Sequence, residues 1–182
     1  MTPAAPAQHV AYLGLGSNLG DSLNTISTAI AALDALADSR VVACSQAYHS
    51  TPWGVVDQPD FINAVVALET RLTPLQLLAQ TQALEKNLGR QPSRRWGERV
   101  IDIDILLYGH HWLNTPDLTI PHPWLSQRAF VLQPLLEIAP DIYVPGQGSA
   151  NDLWQQLQQK GTRPAKKNGK IVWYKCNKHQ NG

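Results

Sequence analysis

Cysteine is scarce in this sequence, and the classes of protein that depend on it are therefore excluded. Only Cys44 and Cys176 occur among 182 residues, which is too few for a disulfide framework, and they lie too far apart for a zinc or redox motif. No apolar stretch approaches 18 residues, and Met1 to Gln8 lacks the basic and apolar regions of a secretion signal. We therefore expect a protein of the reducing cytoplasm.

Charged residues are also few, and they are unevenly distributed. They make up 16% of the chain against 43% hydrophobic residues, a composition typical of globular proteins rather than disordered or fibrous ones. From Lys160 onward there are seven Lys or Arg and no acid, whereas residues 1–159 carry eight basic and 14 acidic residues. We expect one domain over residues 8–160 and a basic tail over 161–182, which is either a mobile solvated terminus or a nucleic-acid arm.

Hydrophobic periodicity predicts an α+β fold. Strands are predicted over Val10–Leu15, Arg40–Tyr48, Phe61–Leu72 and Val100–Tyr108, and helices over Leu23–Leu36, Thr73–Gly89, Phe130–Ile138 and Asn151–Gln159. Asn18 or Asp21 is expected to cap the first helix. The order βαββαβ is typical of the ferredoxin-like fold, an antiparallel sheet with helices packed on one face, here with extra C-terminal helical segments.

A glycine cluster follows the first predicted strand, at Gly14, Gly16 and Gly20. Its spacing is G-x-G-x-x-x-G, which differs from the dinucleotide fingerprint G-x-G-x-x-G, and the sequence contains no P-loop motif. A tight turn from strand to helix and a phosphate contact through backbone amides both explain the cluster.

Asp102 and Asp104 give the strongest chemical signal. On a strand their side chains share one face, about 6 to 7 Å apart, while Ile101, Ile103 and Ile105 face the core. Two hard oxygen ligands at this spacing suit one or two Mg²⁺ ions. Taken alone, the pair is also explained by the hydrated face of a half-exposed strand.

An arginine-rich stretch precedes this strand. Arg90, Arg94, Arg95 and Arg99 are half of the Lys and Arg residues outside the tail, and Trp96 lies among them. Because a guanidinium binds phosphate oxygens through paired hydrogen bonds, these cations beside a metal-binding pair favour a polyphosphate ligand. The aperiodic stretch also suits a lid. A solvated loop and a nucleic-acid patch are the alternatives.

A second loop, residues 48–63, combines aromatic rings with hydroxyl and amide groups, as the binding of a flat heterocycle requires. The only two phenylalanines are Phe61 and Phe130, and either is by default a core residue. His122 is by default a structural loop histidine.

Three motifs in unbroken order resemble the 6-hydroxymethyl-7,8-dihydropterin pyrophosphokinase family. They are G-x-G-S-N-L-G-D at 14–21, Q-P-D-F-x-N at 58–63 and R-W-G-E-R-x-x-D-x-D-I-L at 95–106, and the resemblance runs from about residue 10 to 145. It implies an enzyme of folate biosynthesis that transfers diphosphate from ATP to the hydroxymethyl group of the pterin and releases AMP.

The resemblance also implies roles for individual residues. Asp102 and Asp104 would hold two Mg²⁺ ions and act in catalysis together with Arg90 and Arg99. The implied nucleotide-binding residues are Gln82, Glu85, Arg90, Arg95, Trp96, Arg99, His122 and Arg128. The implied pterin-binding residues are Ser50, Trp53, Phe61, Asn63 and Phe130, with the ring between the two phenylalanines and its amide edge bonded to Asn63.

Two other classes of protein are considered on the residues alone. A nucleic-acid-binding module of the same topology would use the tail and the arginine stretch, and a D-x-D nuclease or sugar-nucleotide transferase would use the carboxylates. We expect ATP and a hydroxymethyl-dihydropterin as partners, no nucleic acid, no membrane, and a monomer.

Overall fold

The computed structural model describes residues 7–52, 54, 57–92, 97–168 and 171. The main elements, in chain order, are β1 (His9–Ser17), α1 (Ser22–Asp34), β2 (Ser39–Cys44), β3 (Tyr48–Ser50), β4 (Phe61–Thr70), α2 (Pro74–Asn87) and β5 (Asp102–Tyr108). They are followed by β6 (Leu113–Asn114), β7 (Thr119–Ile120), a 3-10 turn (Leu125–Gln127), α3 (Ala129–Ile138), β8 (Tyr143–Val144), β9 (Gly148–Ser149), α4 (Ala150–Gln159) and β10 (Lys166–Lys167).

The main sheet consists of two interleaved strand–helix–strand units. Strand β4 lies between β1 and β2, and strand β1 lies between β4 and β5, and all these neighbours are antiparallel. Each unit is thus split by a strand of the other, as in the predicted ferredoxin-like fold. Strand β3 also pairs with β4, and β10 pairs with β3 at the edge.

Local sequence signals set the ends of the first two helices. Asp21, rather than Asn18, caps α1 by accepting a hydrogen bond from the Asn24 N–H. Thr73 opens α2 in a reciprocal capping box with Gln76. Beyond its last turn, Gly89 takes a φ of +94°, a conformation that favours glycine and ends the helix.

Helices cover both faces of the sheet: α1 and α2 pack on one face, as predicted for the ferredoxin-like unit, and the extra C-terminal helices α3 and α4 cover the other. Buried residues such as Leu13, Ile30 and Ile103 form a core beneath α1 and α2. A second core, with Leu106 and Leu132 among its members, lies beneath α3 and α4. The helices of the C-terminal part are needed there because the second face of β4 and β5 also carries large apolar side chains.

The predicted strand Arg40–Tyr48 is wrong as a single strand, because residues 45–47 separate β2 from β3. The Ser45 hydroxyl accepts the N–H of Val65, and the Gln46 N–H donates to Glu137 Oε1 on α3. The Ser45 N–H still donates to the Val65 carbonyl, but the return bond goes to the Ser45 hydroxyl instead of its carbonyl, and the strand is interrupted.

Part of the basic tail joins the sheet. Lys166 and Lys167 pair with His49 and Tyr48 of β3, and the Asn168 N–H donates to the Ala47 carbonyl. Within the described ranges, no helix is long and apolar enough to cross a lipid bilayer.

Candidate active site

Strands β4, β1 and β5 align two rows of residues across one face of the sheet. Gly16 lies between Asn63 and Asp102 in the first row. Gly14 lies between Val65 and Asp104 in the second. Because side chains alternate along a strand, both aspartates project over a floor that the two glycines leave open.

The glycine cluster is therefore only partly a turn. Strand β1 continues to Ser17, so Gly14 and Gly16 are strand residues, and Gly20, with a φ of +67°, occupies the turn before α1. A methyl group on Gly16 would lie 3.2 Å from Asn63 Oδ1. Glycine in this strand keeps the floor clear for a ligand.

An open cleft lies above this floor, and a concave surface of this kind is typical of small-molecule sites. Its lining combines charged groups with aromatic and aliphatic side chains. The lining residues are Gly14, Leu15, Gly16, Ser50, Thr51, Phe61, Asn63, Ala64, Val65, Gly97, Arg99, Asp102, Asp104, Leu106, Arg128, Phe130 and Val131.

Both carboxylate oxygens of Asp102 are paired with arginines. Arg90 Nη1 lies 2.9 Å from Asp102 Oδ1, and Arg99 Nη1 lies 2.6 Å from Asp102 Oδ2. The side chain of Asp102 is 22% exposed, so these pairs are shielded from solvent on most sides.

Glu85 connects helix α2 to this cluster. Its Oε1 accepts the Ile103 N–H at 2.6 Å, and its Oε2 lies 2.5 Å from Arg90 Nη1. Burial raises the pKa of Glu85, whereas the hydrogen bond from Ile103 and the charge of Arg90 act in the opposite direction. Glu85 thus fixes the start of β5 and the position of Arg90 together.

Asp104 and His122 lie next to each other at the cleft, with His122 Nε2 3.7 Å from Asp104 Oδ2. Although 38% of the Asp104 side chain is accessible, loss of water around the carboxyl group and the charge of Asp102 raise its pKa to about 7. Burial, and then the charge of Arg128, lowers the pKa of His122 to about 4. His122 is therefore neutral at pH 7, and because its Nδ1 accepts the Trp124 N–H, its proton resides on Nε2.

The donor set fits Mg²⁺ better than a transition metal. Among the residues the structure describes, no group of three or more His, Cys, Asp or Glu side chains is placed to hold an ion. Asp102 and Asp104 offer two hard carboxylates, and Mg²⁺ is commonly bound by one or two carboxylates with phosphate and water oxygens completing its shell.

The opposite side of the cleft combines rings with an amide. Asn63 is buried, and its Nδ2 donates to Ser50 Oγ at 2.8 Å. Phe61 and Phe130 both line the cleft, and the Arg128 guanidinium carbon lies 5.7 Å from the centre of the Phe130 ring. A positive charge thus adjoins an aromatic ring within the cleft.

Most of the residues singled out in the sequence meet at this cleft or at the Glu85–Arg90 cluster beside it. Gln82 is exposed on α2, three residues before Glu85. Trp53, Arg95 and Trp96 lie outside the described residues.

Sequence reasoning missed two contributors to the site, the apolar wall that includes Leu106 and Val131 and the buried side chain of Asn18, and it did not assign Gly14 and Gly16 to a floor between strands. The strand-end motif G-x-G-S-N contained the signal for the glycines and Asn18. Their roles depend on which strands lie beside β1.

Comparison with known proteins places these features in a family. The sequence profile of 7,8-dihydro-6-hydroxymethylpterin-pyrophosphokinase (HPPK) matches residues 12–140. A 2-amino-4-hydroxy-6-hydroxymethyldihydropteridine pyrophosphokinase of Haemophilus influenzae is 44% identical over 147 residues, covering 81% of this chain and 92% of the relative. The protein of the same name from Methylorubrum extorquens is 49% identical over 137 residues, covering 75% of this chain and 87% of the relative.

Solved structures share the fold. The crystal structure of wild-type Plasmodium falciparum HPPK-DHPS superimposes with a TM-score of 0.69 at 14% sequence identity, covering 86% of this chain. The chain spans 46% of that polypeptide.

Proposed function

Because the chain belongs to the 7,8-dihydro-6-hydroxymethylpterin-pyrophosphokinase family, we propose that this cleft transfers diphosphate from ATP to 6-hydroxymethyl-7,8-dihydropterin. The protein is an ATP-dependent diphosphotransferase of folate biosynthesis. The hydroxymethyl oxygen forms a bond to the β-phosphorus and gives up its proton to water, the bond from that phosphorus to the α,β-bridging oxygen breaks, and AMP leaves. The observation that supports this assignment most is the meeting of an arginine-paired carboxylate and a ring-and-amide pocket in one cleft.

The balance of charges explains how one half of the cleft would bind ATP. The described residues around β5 provide three carboxylates and three guanidiniums, namely Glu85, Asp102, Asp104, Arg90, Arg99 and Arg128. ATP adds about four negative charges, which exceed the three positive charges of the arginines even where Asp104, with its pKa of about 7, is protonated, so further cations are needed. Asp102 and Asp104 would hold two Mg²⁺ ions, and these would supply the missing positive charge and orient the phosphate oxygens.

The arginines change partners when nucleotide binds. Arg90 and Arg99 are held on Asp102 in the structure, and a phosphate group accepts the same paired hydrogen bonds. Their transfer to phosphate oxygens frees both oxygens of Asp102 as ligands. The proposal assigns Gln82, Glu85, Arg95 and Trp96 to nucleotide binding as well.

The other half of the cleft would bind the pterin by ring stacking and by hydrogen bonds to an amide. Phe61 and Phe130 bind the two faces of the ring, and Asn63 bonds its amide edge, while the hydrogen bond to Ser50 fixes the orientation of the Asn63 side chain. The proposal also assigns Trp53 to pterin binding. Held in this way, the hydroxymethyl group lies in line with the β-phosphorus, and alignment supplies much of the rate enhancement.

His122 acts as a donor rather than a base. Its neutral ring carries the proton on Nε2 beside Asp104, and its Nδ1 is occupied by the Trp124 N–H. The Nε2–H is therefore available to a phosphate oxygen, and Arg128, whose charge acts on the same ring, is assigned to the phosphates as well.

The nucleic-acid-binding alternative requires an open sheet face for stacking of bases. Helices α3 and α4 pack on the face that carries Val65 and Leu106, so that platform is largely covered. A cytoplasmic location and a monomeric state stay predictions.

Product identification tests the function. Purified protein, ATP, Mg²⁺ and 6-hydroxymethyl-7,8-dihydropterin should yield AMP and the pterin diphosphate in equal amounts, and neither should form when the pterin or Mg²⁺ is omitted. Formation of ADP as the nucleotide product would contradict the assignment.

A further inference from the structure

Asn18 is a buried amide between β1 and α1, with 5% of its surface exposed. Its side chain takes part in three hydrogen bonds and its backbone N–H in a fourth. All four lead to two segments distant in sequence, and both segments carry residues of the proposed site.

The first segment consists of the residues just before β5, around Arg99. The Arg99 N–H donates to Asn18 Oδ1 at 2.8 Å, and the Asn18 N–H donates to the Arg99 carbonyl at 3.1 Å. This reciprocal pair fixes the backbone of Arg99, whose guanidinium is held on Asp102 three residues later.

The second segment consists of the residues just before β4, Gln58 and Pro59. Asn18 Nδ2 donates to the Pro59 carbonyl at 2.9 Å and to Gln58 Oε1 at 3.1 Å. Two residues after Pro59 comes Phe61, and Asn63 follows on the same face of the strand.

We propose that Asn18 is a positioning residue that couples the nucleotide and pterin halves of the cleft. One primary amide joins the backbone at Arg99 to the backbone at Pro59, so a shift of either segment is transmitted to the other through a single rigid group. The role requires an acceptor and two donors on one short side chain, and only an amide offers both. This inference rests on the proposed function.

Titration calorimetry measures the coupling directly. The quantity is the affinity for hydroxymethylpterin in the presence of Mg²⁺ and α,β-methylene-ATP, divided by its affinity without nucleotide. We expect a ratio clearly above one in the wild type, because both ligands favour one arrangement of the two segments. In Asn18→Asp the acceptor for Arg99 is kept and both donors are lost, and the ratio should fall about tenfold.

Thr70→Val is the matched control. Thr70 is fully buried and hydrogen-bonded to Ser39 and to the Leu72 N–H, at the end of β4 away from the cleft. It loses buried polar contacts as Asn18→Asp does, but its coupling ratio should equal that of the wild type. A lower ratio in Thr70→Val would show that general destabilisation is responsible and would overturn the proposal.

The outcomes separate this inference from the proposed function. If the wild type binds neither ligand, the proposed function fails. If the wild type binds both ligands with a ratio of one, or if Asn18→Asp keeps the wild-type ratio, the coupling role is wrong while the function stands. Should Asn18→Asp not fold by circular dichroism, Gln58→Ala, which removes one acceptor of the same amide, must lower the ratio, and an unchanged ratio there refutes the role.

Discussion

Arg99 Nη1 lies 2.6 Å from Asp102 Oδ2, so the carboxylate proposed to bind Mg²⁺ is neutralised by an arginine of the same short segment. The pair keeps a carboxylate stable inside the cleft before ligands arrive, since an unpaired charge there would be costly. In the proposed function, the same guanidinium binds phosphate oxygens. Stability without ligand and the proposed phosphate recognition would thus depend on the same two side chains.

Replacing either aspartate with asparagine should abolish most of the activity. Asp102→Asn and Asp104→Asn each remove one anionic ligand of the proposed magnesium ions, and we expect turnover to fall at least about a hundredfold. Steady-state AMP formation measures the effect. Asp141→Asn, at an exposed acid, is the control and should retain wild-type turnover. Wild-type rates in both cleft variants would remove the metal assignment.

The stability of the ligand-free protein should report the titration of Asp104. Its pKa is raised from 3.8 to about 7 in the folded state, so the folded protein holds this proton more tightly than the unfolded chain. The contribution of Asp104 to the free energy of unfolding is fully present below about pH 4 and is lost as pH rises through about 7. Asp104→Asn should therefore become more stable relative to the wild type over this range.

Urea unfolding at several pH values, without nucleotide or Mg²⁺, measures this difference. His122 alone produces the opposite trend, because its pKa is lowered to about 4, and the comparison of wild type with variant largely removes that contribution. A difference in unfolding free energy that stays constant from pH 4 to 8 would contradict the raised pKa.

Gly16→Ala should weaken pterin binding more than nucleotide binding. The added methyl group would lie 3.2 Å from Asn63 Oδ1, and displacement of that buried amide should lower pterin affinity about tenfold. Gly14→Ala is the matched variant, since its methyl group meets only the flexible end of Leu106, at 3.4 Å. Calorimetry of each ligand distinguishes the two variants. If Gly16→Ala and Gly14→Ala bound the pterin equally well, a methyl group at position 16 would not disturb Asn63, and the prediction would be wrong.

Deletion of residues 162–182 tests the basic tail. Strand β10 pairs with β3, the Ala165 N–H donates to Gln133 Oε1 and Lys167 Nζ lies 3.9 Å from Glu137. Loss of these contacts should lower stability by about 1 to 2 kcal/mol, which corresponds to a few degrees in Tm. Nucleotide affinity should not change. An unchanged Tm would show that the tail adds nothing to the sheet.

The period-two pattern of β5 predicted correctly that Ile101, Ile103 and Ile105 are buried, because alternation is a local property of a strand. The helix caps at Thr73 and Gly89 are local as well. The sequence could not show that Asp102 is paired with Arg90 across 12 residues, nor that Gly14 and Gly16 form a floor, since both depend on which segments the fold brings together. The interruption at Ser45 likewise depends on Glu137, which lies on a helix of the second face.

Crystals grown with Mn²⁺, α,β-methylene-ATP and the hydroxymethylpterin provide the most direct test of the central claim. Anomalous scattering should place manganese within ligand distance of both Asp102 and Asp104, with Arg99 moved from Asp102 to a phosphate oxygen. Nucleotide bound elsewhere, with the two aspartates contacting only solvent or the arginines, would contradict the account.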